Sequence, residues 1–173
     1  KTTIMKTLHT IYSNFAKRVV ISLVVLMTVG VSTAWGADET LTINYENFTN
    51  HNTSYADQAW SAESSDGTTI SGSATVCFTT NKDYIQIKNG HPAFRNTTAL
   101  PGALKSITLT RQSDGSNRLI TMYASTSQIT KDNYTSATSL GAQNVYTSGT
   151  TWTLTAAQQA AGYKYFYFHG SSN

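Results

Sequence analysis

The chain has 173 residues, with 12 lysines and arginines, nine aspartates and glutamates and a formal net charge of +3. Four of the basic residues and none of the acidic ones precede residue 37, so the rest of the chain carries eight basic and nine acidic side chains. This balance leaves no basic stripe for a nucleic acid, and the single cysteine, Cys77, excludes a disulfide within the chain.

Residues 1–36 are predicted to be a signal peptide. Four basic residues precede residues 19–31, a run of 13 residues without a charge. A transmembrane helix needs about 20 apolar residues, whereas the core of a signal peptide needs about 7–15. The small residues Ala34 and Gly36 predict cleavage after Gly36 or, alternatively, after Ala34. The sequence thus predicts an exported protein, at the cell surface, in the medium or in the periplasm, with no stable membrane insertion after cleavage. The alternative is a buried or amphipathic helix of the mature fold.

Residues 37–173 are predicted to form one all-β domain, an antiparallel β-sandwich. Much of this stretch alternates apolar and polar side chains with the period of two that half-buried strands show. In chain order, strands are predicted at 41–48, 70–79, 84–88, 93–98, 104–110, 119–123, 145–146, 151–154 and 163–168.

Two irregular stretches interrupt this pattern. Residues 51–67 lack clear periodicity and are predicted to be a long loop with Tyr55 and Trp60 as its large apolar anchors. Residues 124–143 are mostly serine, threonine, asparagine and glycine, which favours a loose connection.

Several strands carry more specific predictions. The small residue Gly72 among the inward positions of 70–79 predicts the close approach of a neighbouring strand or sheet. Residues 93–98 are predicted to be an edge strand. Residues 104–123 are predicted to form a β-hairpin, because turn formers that include Asp114-Gly115 separate its two strands.

The end of the sequence predicts a short helix and one strongly aromatic strand. Thr155 and Gln158 fit a capping box, and Gly162 ends the helix. In 163–168, Phe166 and Phe168 share one face. So aromatic a strand is expected to be paired on both edges. We therefore expect the sequence to lack at least one further strand.

The strand pattern resembles the exported, jelly-roll-like β-sandwich modules of Bacteroidetes surface and secreted proteins. The resemblance lies in residues 39–43, 84–87, 104–110 and 165–168. It implies a non-catalytic module of a longer protein, often glycan-associated or adhesive, with a downstream domain. It assigns no functional residue.

No catalytic, phosphate-binding, zinc or calcium motif is present in the sequence, so no catalytic residue, metal ligand or cofactor is predicted. The aromatic side chains are the candidates for binding, because sugar rings stack on exposed aromatic groups while amides and carboxylates bind their hydroxyls. The predicted ligand-binding residues are Trp60, Tyr55, Tyr165 and Tyr167.

The leading hypothesis is a non-catalytic binding module for a glycan or a surface protein. The first alternative is a structural spacer that displays a downstream domain. The second is a small exported glycoside hydrolase that uses a pair of loop carboxylates, chosen from Asp57, Glu63, Asp83 and Asp132.

Overall fold

A computed structural model describes residues 22–28, 38–78, 85–87, 92–111 and 119–170 of the chain. The strands are β1 Ser22–Thr28, β2 Asp38–Ile43, β3 Ala56–Glu63, β4 Thr69–Phe78, β5 Ile85–Ile87, β6 Pro92–Asn96, β7 Ala103–Thr110, β8 Leu119–Ser125, β9 Thr138–Asn144, β10 Thr150–Thr153 and β11 Tyr165–Gly170. A small sheet has the strand order β10-β7-β1-β2 and a large sheet the order β3-β4-β6-β11-β8-β9, with β5 beside β4. Every strand pair in them is antiparallel.

Apolar side chains from both sheets meet in one core, which confirms the predicted all-β sandwich. The small sheet contributes Leu41, Ile107 and Trp152, and the large sheet contributes Phe94 and Phe166 among others. These residues alternate along their strands with side chains that point away from the core. Each sheet thus has an inner face, which faces this core, and an outer face, which points away from it.

The strand predicted at 70–79 is confirmed as β4, together with the close approach at Gly72. A Cβ atom on Gly72 would lie within 3.0 Å of ring atoms of Trp60 and of the carbonyl oxygen of Arg95. Trp60 belongs to β3 and Arg95 to β6, the two strands that flank β4 at Gly72. The glycine is therefore required because both neighbouring strands use the space that a side chain would fill.

The predicted loop at 51–67 is wrong over half of its length, because β3 runs through it. The inward positions of β3 hold Gln58, Trp60 and Ala62, and only the indole is strongly apolar. Gln58 is buried because its Nε2 donates to the carbonyl of Val76 at 2.8 Å and its Oε1 accepts from the amide of Asn52 at 3.1 Å. A polar residue satisfied in this way gives no apolar signal in the sequence.

The predicted β-hairpin at 104–123 is also wrong, although both of its strands exist. β7 lies in the small sheet and β8 in the large sheet, so the connection between them crosses from one layer to the other. Residues 112–118, with the predicted Asp114-Gly115 turn, lie outside the described residues. The alternation of apolar and polar residues predicts the two strands, but it does not predict which sheet the second strand joins.

Three further expectations are corrected by the order of the large sheet. β6 is not at an edge but lies between β4 and β11, and β9 forms within the stretch predicted to be loose. Val145 and Tyr146 follow β9 rather than forming a strand. The aromatic strand β11 is paired on both sides, by β6 and β8, as expected from its sequence, and the expected further strand stays a prediction.

The predicted helix is confirmed as α1, Ala156–Ala160. Thr155 Oγ1 accepts from the amide of Gln158 at 3.3 Å, and Gln158 Oε1 accepts from the amide of Thr155 at 2.8 Å. Gly162 follows with a φ of 72°, the left-handed conformation that ends helices. No helix in the described ranges is long and apolar enough to span a membrane.

Asn96 joins β6 to the start of β11 from within the core. Its Nδ2 donates to the carbonyls of Thr98, at 2.8 Å, and Lys164, at 2.9 Å. Its Oδ1 accepts from the amide of Phe166 at 2.8 Å. These bonds fix the register between β11 and β6, and hence the positions of the side chains on the outer face.

β1 lies inside residues 19–31, the predicted core of the signal peptide. Its backbone pairs with β2 from Leu23↔Ile43 to Thr28↔Asp38 and with β7 from Ser22↔Thr110 to Thr28↔Ala103. The remaining residues of the predicted leader, with both cleavage sites, lie outside the described residues. Signal-peptide cleavage therefore stays a prediction. A strand here was predicted neither by the signal-peptide interpretation nor by the alternative of a helix.

Candidate functional site

The four predicted ligand-binding residues do not meet in one place. Tyr55 precedes β3 and is 43% exposed, whereas Trp60 is only 1% exposed and stacks on Phe94 with ring centroids 5.5 Å apart. The expectation that Trp60 lies in a loop is wrong, and its indole is not available to a ligand in this structure. Tyr165 and Tyr167 share the outer face of β11, where Tyr165 is half-buried and Tyr167 is fully buried.

Tyr167 is buried because other aromatic side chains cover it on the outer face of the large sheet. Tyr134 stacks on Tyr167 with centroids 5.0 Å apart and on His169 with centroids 5.3 Å apart. Tyr123 meets both tyrosines edge-on. Tyr134 comes from the connection between β8 and β9, which folds over this face. We call these four residues the outer aromatic cluster. Burial raises the pKa of Tyr167, and Tyr134 raises it further.

A groove lies where the last strands of the two sheets, β9 and β10, come together. It is open and shallow, with a volume of about 510 Å³. Its lining combines one aromatic ring with amide and hydroxyl groups: Gln143, Asn144, Tyr146, Gly149, Thr150 and Thr151. Tyr146 is 48% exposed, the most exposed large apolar side chain among the described residues. We call this site the β9–β10 groove.

Hydrogen bonds to the amide and the carbonyl of Tyr146 hold its backbone in place within the groove. Its amide donates to Thr150 Oγ1 at 3.2 Å, and Thr150 Oγ1 donates to the carbonyl of Asn144 at 2.8 Å. Its carbonyl accepts from the amides of Gly149, at 3.1 Å, and Arg111, at 3.3 Å. The chain around Tyr146 is thus fixed while its ring stays in solvent.

Side-chain bonds also bridge the two strands that form the groove. Gln143 Nε2 donates to the carbonyl of Thr151 at 3.3 Å, and Trp152 Nε1 donates to the carbonyl of Gly141 at 3.0 Å. Trp152 itself lies in the core and is only 2% exposed. The bridges make a largely preformed site, which reduces the entropy lost when a ligand binds.

The sequence did not single out the β9–β10 groove. Its only local signal is Tyr146 among polar residues before Gly149, which has a φ of 88°. One tyrosine beside a turn is common in β-proteins. The groove depends on two strands from different sheets meeting at one side of the sandwich, and no short motif encodes that arrangement.

The described carboxylates do not form a catalytic pair on β3. Asp57 and Glu63 are six residues apart on this strand, a distance of about 20 Å and well beyond the separation in glycosidases. Asp66 lies in the turn after β3, where its Oδ1 accepts from Ser64 Oγ and the Thr68 amide. These bonds lower the pKa of Asp66, the opposite of what a general acid needs.

The remaining candidates for chemistry give no site in the described ranges. Asp132 is exposed, and Asp83 and Asp114 lie outside these ranges. Cys77 is buried with its Sγ 3.1 Å from Gln86 Oε1. Among the described residues, no three histidine, cysteine, aspartate or glutamate side chains are placed to hold a metal ion.

No protein-family model, curated protein or solved structure matches the chain. The resemblance to Bacteroidetes β-sandwich modules therefore remains an expectation from the strand pattern. The sandwich fold is shared by many unrelated functions, so the function must be argued from the site itself.

Proposed function

We propose that the protein is an exported, non-catalytic module that binds a glycan in the β9–β10 groove. The observation that carries this proposal is the exposed ring of Tyr146 within a fixed frame of amide and hydroxyl groups. The apolar face of a sugar stacks on an aromatic ring, and its hydroxyls exchange hydrogen bonds with asparagine, glutamine and threonine. An open groove suits a chain of sugars, because a polysaccharide can pass through it without an end having to enter.

The test compares two tyrosines that are similarly exposed. Tyr146→Ala removes the proposed stacking ring, and Tyr55→Ala removes an exposed ring at a different position. Binding is measured by retardation of each variant in native gels that contain soluble polysaccharides, followed by calorimetry with the best ligand. We expect Tyr146→Ala to bind at least about tenfold more weakly, as the loss of a central aromatic anchor does. Tyr55→Ala should bind like the unchanged protein.

Two outcomes would contradict this assignment. Loss of binding in Tyr55→Ala but not in Tyr146→Ala would show that the ligand binds at Tyr55, the residue predicted from the sequence. Failure of the unchanged protein to bind any member of a broad polysaccharide panel would favour the structural spacer. The hydrolase alternative has less support, because Asp57 and Glu63 are too far apart to act together.

Export is the second part of the proposal and rests on residues 1–36 of the sequence. It predicts that the protein recovered outside the cytoplasm begins at Ala37 or, with the alternative cleavage, at Trp35. The intact mass of the recovered protein measures this, and a mass that includes residues 1–36 would refute cleavage.

A further inference from the structure

Two buried hydrogen-bond donors lie side by side at the centre of the large sheet. Arg95 on β6 and Tyr167 on β11 are direct partners in the antiparallel register. Both point to the outer face, since their neighbours Phe94 and Phe168 lie in the core. Directly opposed side chains in such a pair have Cβ atoms about 4.5–5.5 Å apart. The guanidinium and the phenol are therefore close enough to contact one small group together.

One atom of each donor group has no hydrogen-bond partner in the part of the chain that the structure describes. Arg95 Nη1 and Tyr167 Oη are both buried and unpaired. Burying a donor without a partner reduces the stability of the fold, and the loss is larger when the group is charged. Such atoms are uncommon in native proteins, and two of them in register mark a position that suits an acceptor.

The protonation states of both groups make them donors at neutral pH. Arginine stays charged in proteins. The pKa of Tyr167 is raised by burial, so its phenol keeps its proton. The group that satisfies both must accept two hydrogen bonds, and a negative charge on it would balance the guanidinium.

No carboxylate among the described residues forms an ion pair with Arg95. The ion pair among the described residues joins Lys105 and Asp38, on the small sheet. Asp57 acts on Tyr167 through its charge, but its Oδ1 is engaged by the hydroxyl of Thr75. Arg95 as a whole is half-buried, so solvent reaches part of the residue.

We propose that Arg95 and Tyr167 form a binding site for an oxyanion, a carboxylate or sulfate group, on the outer face of the large sheet. The charged hydrogen bond from Arg95 supplies most of the affinity, and the phenol supplies direction. This site is separate from the β9–β10 groove, because β8 lies between β11 and β9 in the large sheet. It does not depend on the proposed function.

The test is calorimetric titration of the whole protein with sodium sulfate and with sodium glucuronate. Sodium chloride at equal ionic strength and neutral glucose are the controls, because sulfate also stabilises proteins without a specific site. We expect saturable binding of at least one of the two anions and none of glucose. The anion that binds more tightly identifies the preferred group.

Four variants distinguish a specific site from general charge attraction. Arg95→Gln should weaken anion binding at least about tenfold, and Tyr167→Phe about fivefold, since each removes a donor. Lys164→Gln removes an exposed positive charge elsewhere and should bind normally. Asp57→Asn should bind more tightly, because it removes the nearby negative charge.

The result that would overturn the proposal is equal anion binding by the unchanged protein and Arg95→Gln, or no binding of either anion. The two donors would then be served by water. Circular dichroism shows whether each variant is folded, and Tyr167→Phe keeps the side-chain volume if Arg95→Gln does not fold. Tyr146→Ala should bind sulfate normally, so failure of the groove and failure of this site are distinguishable.

Discussion

Replacing Gly72 with alanine should destabilise the protein strongly, although it adds only one methyl group. The added Cβ would lie within 3.0 Å of two ring atoms of Trp60 and of the carbonyl oxygen of Arg95. The indole is 1% exposed and is stacked on Phe94, so it has no free space to move into. The carbonyl belongs to the backbone of β6, which is paired on both sides.

The size of this effect depends on the rigidity of both neighbours. Overpacking a core typically costs 1–3 kcal/mol, and alanine recovers about 0.4–1 kcal/mol by restricting the unfolded chain. Since neither neighbour can move cheaply, the overpacking cost lies near the top of its range, and we expect a net loss of about 2 kcal/mol. That is a large share of the roughly 5–15 kcal/mol by which domains are stable.

Urea denaturation followed by tryptophan fluorescence measures this loss. Ser71→Ala, on the outer face of the same strand, is the matched control and should stay within about 0.5 kcal/mol of the unchanged protein. In the double variant Gly72→Ala with Trp60→Phe, the overlap with the indole is gone. Its loss of stability should therefore be smaller than the sum of the losses in the two single variants. A loss below about 1 kcal/mol for Gly72→Ala, or strict additivity in the double variant, would refute this reasoning.

Two further predictions concern the interior of the large sheet. Asn96→Ala should cost about 2–4 kcal/mol in urea denaturation, because it removes the hydrogen-bond partner of the Lys164 carbonyl and of the buried Phe166 amide, whereas exposed Thr97→Ala should cost much less. An equal loss in both variants would contradict it. The pKa of Tyr167 is raised above its usual value of 10.0, so its contribution to stability is present below pH 10 and is lost as the pH rises above it. Stability measured from pH 8 to 12 should therefore fall less steeply in Tyr167→Phe, and identical slopes would contradict this.

The sequence predicted those strands whose inward positions are apolar. Strand β4 was predicted because its inward positions include Ile70, Val76 and Phe78, and β10 because Trp152 precedes Leu154 by two positions. β3 was missed because a hydrogen-bonded glutamine, Gln58, occupies an inward position. Local periodicity reports the burial of apolar groups, so it does not detect a polar side chain that is buried with its partners.

The arrangement of strands and the candidate site depend on contacts between distant parts of the chain. The turn formers between β7 and β8 correctly indicated that two strands are separated there. Packing between distant parts of the chain decides that the two strands join different sheets. In the same way, Tyr167 was singled out as a surface aromatic, yet Tyr134, which was not singled out for binding, covers it. The register that opposes Arg95 to Tyr167 emerges only when β6 and β11 pair.

The position of β1 has a consequence for when the chain folds. Val25 pairs with Ile107, so β1 cannot complete its place in the small sheet until β7 has been made. At 5–20 residues per second, the ribosome needs about 4–16 s to synthesise the roughly 80 residues between them. During that interval β2 is the only strand of the small sheet that can pair with the segment, and the edge that later pairs with β7 is open to an export receptor. If the proposed export is correct, capture of the segment must precede the synthesis of β7. The length of chain between the two strands then sets the time available for secretion.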